Sequence, residues 1–315
     1  MAITWQGSQK TIPGVGSDFG PSLTMRPPIT AAWKGENGDE RLWYSTFNGS
    51  SWTAQQQIPA PVASSVGPSL TTYYGEVDII YAAWKGSGTD ESQWYSTFDG
   101  EKWSAQQQIP GTFSSVGPSL AYSPDTYTVY AAWKGSGTDQ RLWYSSISTD
   151  FDSSWEPQQI IPGTWSSVGP SLAYHNGKIY AAWKGMDSDE SLWFSSFSPD
   201  VIGSTWSPQK QIPNVLSSVG PRLFDLGDVL LAVWKGSGTD TRIWWATYND
   251  STQTWSAQQQ IPGVGTSYAP SVAGTSNGSG APNTFVVAWK GELADEEIWY
   301  IQGEHPLPPG PRPPP

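Results

Sequence analysis

One tripeptide, Trp-Lys-Gly, occurs six times along the 315-residue chain. Successive copies are 49 to 55 residues apart. The tryptophans of these copies are Trp33, Trp84, Trp133, Trp183, Trp234 and Trp289. Repeats of roughly 40–50 residues are typical of β-propellers, in which each repeat forms a four-stranded antiparallel blade. The chain is therefore expected to fold as six copies of one unit.

Other positions repeat at fixed distances from this tripeptide. An aspartate follows its tryptophan by six residues, and a second tryptophan follows by ten. A third tryptophan opens a Gln-rich segment that ends in Ile-Pro. This third series consists of Trp5, Trp52, Trp103, Trp155, Trp206 and Trp255. The three series contain 18 of the 20 tryptophans, and only Trp165 and Trp245 lie outside them.

The fourth unit shows how a repeat divides into strands. Apolar alternation and turn signals predict strand A at 167–174, strand B at 178–184, strand C at 192–197 and strand D at 206–212. A His-Asn-Gly turn separates A from B, and a loop containing Pro and Gly separates C from D. The expected fold class is all-β, a six-bladed β-propeller with four antiparallel strands in each blade.

The two ends of the chain predict how the ring closes. The sixth unit lacks a strand D, whereas residues 3–12 form a strand D with no strands before it. We expect this N-terminal strand to complete the last blade, which leaves no open sheet edge between blades one and six. Residues 1–303 would then be a single propeller, and the Pro-rich tail 304–315 a mobile polyproline segment.

Composition narrows the range of functions. Twenty Trp, 33 Gly and 27 Pro with only 14% charged residues favour short strands and tight turns. A net charge of −12 argues against a nucleic-acid partner. The absence of cysteine and the presence of only two histidines, His175 and His305, exclude thiolate chemistry and a histidine site repeated in every blade. We expect no metal and no cofactor.

No targeting or membrane-spanning segment is visible. The first residues lack a basic stretch followed by an apolar one, as a signal peptide would have. No run approaches the roughly 18 apolar residues of a transmembrane helix. We therefore expect no membrane span, and either a cytoplasmic location or non-classical secretion.

Loop lengths distinguish the two faces of the predicted ring. The B–C and D–A loops share one face because the strands alternate in direction. On that face the first and second tryptophans are always ten residues apart. A Gly-Pro-Ser-Leu segment, or a variant of it, opens each strand A, and its proline follows the third tryptophan by 15 or 16 residues. On the other face the second and third tryptophans are 9 to 13 residues apart, and the proline of strand A precedes the first tryptophan by 12 to 19 residues. A length kept in every unit indicates blade packing or a repeated site.

The loops on the constant face carry groups suited to a sugar. An indole packs against the apolar side of a sugar ring, while charged groups bond its hydroxyls. The D–A loop adds a variable position just before its Ser-Ser pair. This position holds Ala63, Phe113, Trp165 and Leu216 in successive units. The candidate carbohydrate-binding residues are Lys34, Asp39, Trp43, Lys85, Asp90, Trp94, Lys134, Asp139, Trp143, Lys184, Asp189, Trp193, Lys235, Asp240, Trp244, Lys290, Asp295 and Trp299, with Phe113 and Trp165 from the D–A loop.

Each of these positions also has a structural interpretation. The first and third tryptophans are expected to fill the space between blades. For the second tryptophan, packing and ligand contact both remain as interpretations. The lysine and aspartate could instead form an ion pair within their hairpin. We expect glycine to follow the lysine because that position needs the backbone freedom of glycine.

With Trp-rich units of about 50 residues and closure by the first strand, residues 3 to about 302 resemble the β-propeller lectins of fungi and bacteria. The resemblance implies sugar sites between neighbouring blades, at the Lys34, Asp39 and Trp43 positions and their copies beside the adjoining D–A loop. The six-bladed fucose-binding members use an arginine, a glutamate and a tryptophan in each site. In this chain the arginine position holds Arg41, Ser92, Arg141, Ser191, Arg242 and Glu297.

These features predict a non-enzymatic, multivalent lectin for glycans of glycoproteins, glycolipids or polysaccharides, with a homo-oligomer also possible. Two alternatives remain open. A protein-interaction scaffold would use the irregular face and the Pro-rich tail. A sialidase-like glycosidase shares the six-bladed fold, but it needs arginines that converge on one carboxylate. Arg41, Arg141 and Arg242 instead repeat one position around the ring.

Overall fold

Six antiparallel sheets stand around a central axis in the computed structural model, which describes residues 3–25, 28–150, 153–275 and 283–306. In each sheet the strands lie in the order A to D from the axis to the rim. Strand A of every blade contacts strand A of the next, and that of blade six contacts that of blade one. The predicted six-bladed propeller is confirmed, with one repeat in each blade.

The strands follow one another blade by blade. The chain begins with β1 (Thr4–Gly16), which joins the last blade. Blade one contains β2 (Ser22–Met25), β3 (Ile29–Lys34), β4 (Leu42–Phe47) and β5 (Gln56–Gln57). Blade two contains β6 (Ser69–Tyr73), β7 (Ile79–Lys85), β8 (Ser92–Phe98) and β9 (Gln107–Phe113). Blade three contains β10 (Ser119–Ser123), β11 (Thr128–Lys134), β12 (Arg141–Ser148) and β13 (Gln159–Trp165).

The second half of the ring repeats this plan. Blade four contains β14 (Ser171–His175), β15 (Lys178–Lys184), β16 (Ser191–Phe197) and β17 (Lys210–Leu216). Blade five contains β18 (Arg222–Asp225), β19 (Leu230–Lys235), β20 (Arg242–Asn249) and an outer strand in two pieces, β21 (Thr254–Trp255) and β22 (Gln259–Gly265). Blade six contains β23 (Ser271–Thr275), β24 (Asn283–Lys290) and β25 (Glu297–His305).

Strand D of the fourth blade differs from its predicted limits. Strand B is confirmed, strand C begins one residue earlier than predicted, and strand A begins four residues later. Strand D is Lys210–Leu216 rather than 206–212 and continues past Pro213. It can do so because an outer edge strand tolerates proline and the left-handed Asn214 (φ 58°) forms a bulge that restores pairing. The strand therefore reaches the face with the constant loops.

The first strand completes the sixth blade, as predicted. β1 pairs antiparallel with β25, and its last residue, Gly16, lies opposite Glu297. β25 runs to His305, two residues beyond the predicted end of the propeller at 303. The buried imidazole of His305 is hydrogen-bonded to Asp228 at 2.6 Å, which explains why the strand continues. The rest of the predicted tail, 307–315, lies outside the described residues.

Apolar layers fill the spaces between the blades. The first tryptophan of every repeat is at most 1% exposed. The third tryptophan packs edge-on against an aromatic ring of the preceding blade's strand C, as in the Tyr95–Trp155 pair at 5.5 Å. At the closing interface Trp5 meets Trp245 at 6.3 Å, so Trp245 takes the place that tyrosine or phenylalanine holds in the other blades. The packing role predicted for both series is confirmed.

In the part of the chain that the structure describes, every regular element is a strand, so no helix there could cross a bilayer. The same residues contain no group of three or more His, Asp or Glu side chains placed to hold a metal ion.

Candidate functional site

The six lysines of the repeat lie beneath the constant-loop face. Their exposures are only 3–6%. Lys85 Nζ donates to Ser65 Oγ at 2.8 Å and to the carbonyls of Gly88 and Gly86 at 3.0 and 3.3 Å, which occupies all three of its protons. Burial lowers the pKa of three lysines with equivalent contacts, Lys134, Lys184 and Lys235. Each such lysine ties a B–C loop to a D–A loop, and no described lysine pairs with the aspartate of its own loop.

Blades one and six attach their lysines through different partners. The Lys34 ammonium pairs with Asp18, a residue of the loop that leads into blade one. Lys290 donates to the carbonyls of Leu293 and Asp295 at 3.1 and 2.9 Å. The lysines are predicted to contact the sugar. In the structure their ammonium groups are buried and bonded to other groups of the protein, so they are not exposed to a ligand.

Each aspartate of the repeat holds the second tryptophan of its own loop. Asp90 Oδ2 accepts a hydrogen bond from Trp94 Nε1 at 2.9 Å, and Asp90 Oδ1 accepts one from the backbone N–H of Ser92 at 2.9 Å. The indole bond is present in all six blades at 2.8–3.1 Å. The carboxylate therefore fixes a half-buried indole on the face.

The glycine of Trp-Lys-Gly is required by this aspartate. None of the six glycines has a positive φ. The prediction that glycine is needed here for its backbone freedom is therefore wrong. A Cβ added to Gly86 would instead overlap the carboxylate of Asp90, and the other five glycines meet their aspartates in the same way.

Replacing Gly86 with alanine should therefore displace Asp90 and release the indole of Trp94. We expect the free energy of unfolding to fall by about 1–3 kcal/mol, the usual cost of forcing extra volume into packed structure. Urea denaturation would measure this loss. The matched control is Thr89→Ala in the same loop, which should change stability by less than about 0.5 kcal/mol. Equal stabilities of the two variants would contradict this role of the glycine.

Alternate blades cover the second tryptophan with an arginine. Arg41 Nε donates to Asp39 Oδ1 at 2.8 Å, and its guanidinium carbon lies 4.9 Å from the ring centroid of Trp43. Blades three and five have the same arrangement, with ring distances of 5.1 and 4.9 Å. The arginine hydrogen bond lowers to about 2 the pKa of the three aspartates, Asp39, Asp139 and Asp240. These carboxylates therefore remain ionised except in strong acid.

The other three blades leave this indole uncovered. Serine or glutamate replaces the arginine, and no described cation or aromatic ring lies against the indole. These uncovered rings, called the open indoles below, are Trp94, Trp193 and Trp299. The face thus alternates between arginine-covered and open indoles.

Phe113 and Trp165 lie at the ends of strands D and not on the D–A loop, where the sequence placed them. Phe113 pairs with Ser92, and Trp165 pairs with Arg141. Their side chains are 52% and 48% exposed at the outer rim of the face. Leu216 takes the same place in blade four.

Polar side chains span several gaps between blades on this face. The residue after the repeated aspartate reaches the B–C loop of the following blade. Glu40 accepts a hydrogen bond from the backbone N–H of Gly88 at 3.1 Å. Gln140 and Glu190 make the equivalent bridges into blades four and five. These bridges place a carboxylate or amide oxygen in each of those gaps.

The gap between blades two and three lacks such a bridge. The carboxylate of Glu91, equivalent to Glu40, makes no hydrogen bond with any described residue, although its charge acts on Lys134. Beside it, Gln93 is fully buried where the other five blades have leucine or isoleucine, and its Oε1 has no partner.

The indole that lies in this gap is the arginine-covered Trp143 of blade three, whereas the open indole of Trp94 lies on the other face of blade two, against the layer shared with blade one. Phe113 pairs with Ser92 and therefore lies on the same face of the blade as Trp94. Sequence analysis did not select Glu91 or Gln93 as site residues. The polar residue at a position otherwise held by leucine or isoleucine was the available signal for Gln93.

Comparisons with known proteins support the fold. No family model matches this chain, and no curated protein matches it. A protein of unknown function from Dyadobacter fermentans has a TM-score of 0.71 and 11% identity, over 96% of this chain and 99% of that one. AofleA from Arthrobotrys oligospora has a TM-score of 0.65 and 12% identity, over 95% of this chain and 86% of that one.

A lectin is among the structures with this fold. Aleuria aurantia lectin in complex with α-methyl-L-fucoside has a TM-score of 0.60 and 12% identity, over 95% of this chain and 99% of that one. At these identities the matches show a shared architecture. The resemblance to β-propeller lectins is therefore confirmed at the level of the fold.

Proposed function

We propose that this protein is a non-enzymatic lectin with shallow sugar sites between neighbouring blades on the constant-loop face. The observation that carries the proposal is the set of open indoles, each held at its edge by an aspartate on a rigid ring. The fold shared with Aleuria aurantia lectin, whose structures hold α-methyl-L-fucoside and Fucα1-6GlcNAc, supports it.

The gap between blades one and two is the best-formed of these sites, because the open indole of Trp94 and the exposed ring of Phe113 lie on the same face of blade two there. The open face of Trp94 is suited to the C–H side of a pyranose ring. The carboxylate that Glu40 extends from blade one to the backbone N–H of Gly88 is an acceptor for sugar hydroxyls, and Phe113 encloses the outer side. A neutral sugar with an apolar face and adjacent hydroxyls fits this set of groups.

The remaining candidate residues have supporting roles in this proposal. The aspartates position the indoles, and the lysines hold the loops from below. Blades four and six offer Trp193 and Trp299 as further open indoles. We therefore propose three sites of unequal affinity, and not six equal ones.

Three sites on one rigid face explain how weak binding becomes useful. A single shallow sugar site is weak, whereas several that engage a dense glycan surface together gain a factor of roughly 10²–10⁴. The partners would be glycans displayed in many copies, as on glycoproteins, glycolipids or polysaccharides.

A glycan array followed by titration calorimetry tests this function. We expect binding to a restricted group of glycans and about three monosaccharides per chain, because three indoles are open. Absence of binding to any glycan would overturn the proposal, and one sugar per chain would overturn its multivalence. A panel of chromogenic glycosides should show no turnover, since turnover would indicate a glycosidase.

A further inference from the structure

The axial channel narrows to a neck at the start of the six strands A. A cavity of about 50 Å³ lies there. Five of the six strands contribute a serine to its wall, at Ser22, Ser69, Ser119, Ser171 and Ser271. Each serine Oγ accepts a hydrogen bond from the backbone N–H of the next blade's strand A, as Ser22 does from Leu70 at 2.9 Å. In five of the six blades these bonds satisfy one backbone N–H at the free edge of strand A, and every serine hydroxyl keeps its own proton to donate.

Blade five breaks this ring with Arg222. The serine of blade four, Ser171, still accepts from Leu223 at 3.0 Å. Position 222, however, offers no hydroxyl to Val272, whose N–H occupies the equivalent place in blade six. The arginine thus removes one hydrogen bond that the repeat would otherwise provide.

The guanidinium of Arg222 also lacks a counter-charge. It lines the neck, and it forms no hydrogen bond or ion pair with any residue that the structure describes. Burial is the single cause that lowers its pKa, with no carboxylate acting against it. Arg222 is only partly buried, and a partly buried cation without a partner is stabilised when an anion from solvent neutralises it.

We propose that the neck of the axial channel binds one small inorganic oxyanion, of the phosphate or sulfate type, between Arg222 and the ring of serine hydroxyls. The planar guanidinium donates two parallel hydrogen bonds to the oxygens of such an anion. The five serines line the same small volume from the other blades, where their hydroxyl protons are available to donate. A cavity of about 50 Å³ holds a few water molecules, or one tetrahedral anion in their place.

An anion can reach the neck through the wider end of the channel. A cavity of about 570 Å³ surrounds the axis there, with Tyr74, Tyr122 and Tyr174 on its wall. The leucines of strands A, such as Leu70 and Leu120, line both this cavity and the neck, so the two adjoin along the axis. The site is separate from the sugar sites proposed between the blades, and it does not depend on them.

Inorganic phosphate, with sodium chloride at matched ionic strength as reference, is the probe for the intact protein. We expect the melting temperature to rise with phosphate concentration and calorimetry to show one phosphate per chain. Arg222→Ser restores the repeated serine, so it should fold and bind phosphate more weakly by about tenfold or more, since it loses charge-assisted hydrogen bonds. Arg222→Lys, which keeps the charge without the planar fork, should bind with intermediate affinity.

Two further measurements separate this site from a general effect of charge. Arg242→Ser, the same change at an exposed arginine, should keep the phosphate response of the wild-type protein. In phosphate-free buffer Arg222→Ser should melt above the wild-type protein, because it removes an unpaired, partly buried charge and restores the hydrogen bond of the repeat. A wild-type protein that responds to phosphate no more than to chloride would overturn the proposal. So would an Arg222→Ser variant that responds as the wild-type protein does.

Discussion

Replacing Trp133 with alanine should lower the free energy of unfolding by about 3–5 kcal/mol. Trp133 is fully buried in the layer between blades two and three, where it packs with Tyr95, Leu120 and Trp155. Two rigid sheets on either side cannot close together over the missing ring, so a large cavity would remain. Urea or guanidinium denaturation followed by tryptophan fluorescence and circular dichroism would measure the loss.

The matched control is Trp165→Ala, the same substitution in the same blade. Trp165 is 48% exposed at the rim, so its removal should change stability by no more than about 0.5 kcal/mol. Comparable losses in the two variants would show that the layer between the blades does not carry the stability of the ring.

Most of the architecture could be predicted from the sequence because a repeat supplies the same information six times. The His-Asn-Gly turn of the fourth unit and the alternation in its strands define one blade, and the spacing of the tripeptide defines the number of blades. Closure could be predicted because the sixth unit lacks the strand that residues 3–12 supply. Strand D was misplaced because proline usually ends a strand, and the bulge at Asn214 that rescues pairing has no simple sequence signal.

The chemistry of the face was harder to predict because it depends on contacts between loops far apart in the chain. Nothing local to Lys85 shows that its ammonium is used by Ser65, which belongs to the preceding D–A loop. Likewise, the glycine next to Lys85 gives no sign in sequence that a carboxylate fills its side-chain space. Positions that depart from the repeat were more informative, since Arg222 and Gln93 each mark a place where one blade differs from the other five.

Replacing the three open indoles together with alanine should lower the avidity for a dense glycan surface by roughly 10²-fold or more. Each indole supplies the apolar face on which the sugar ring would lie, so its loss removes the main contact of its site. The three single substitutions should each reduce the calorimetric stoichiometry by about one sugar per chain. Surface plasmon resonance on immobilised glycan would measure the avidity.

The arginine-covered tryptophans provide the control for this experiment. Trp43, Trp143 and Trp244 make the same hydrogen bond to their aspartates as the open indoles do, and they also contact an arginine, so their triple variant loses at least as many internal contacts. Its melting temperature should therefore fall by at least as much, while only the variant without open indoles loses avidity. If the covered set proved essential and the open set dispensable, the sugar would be bound by the arginine-bearing blades, and the assignment of sites to the open indoles would be wrong.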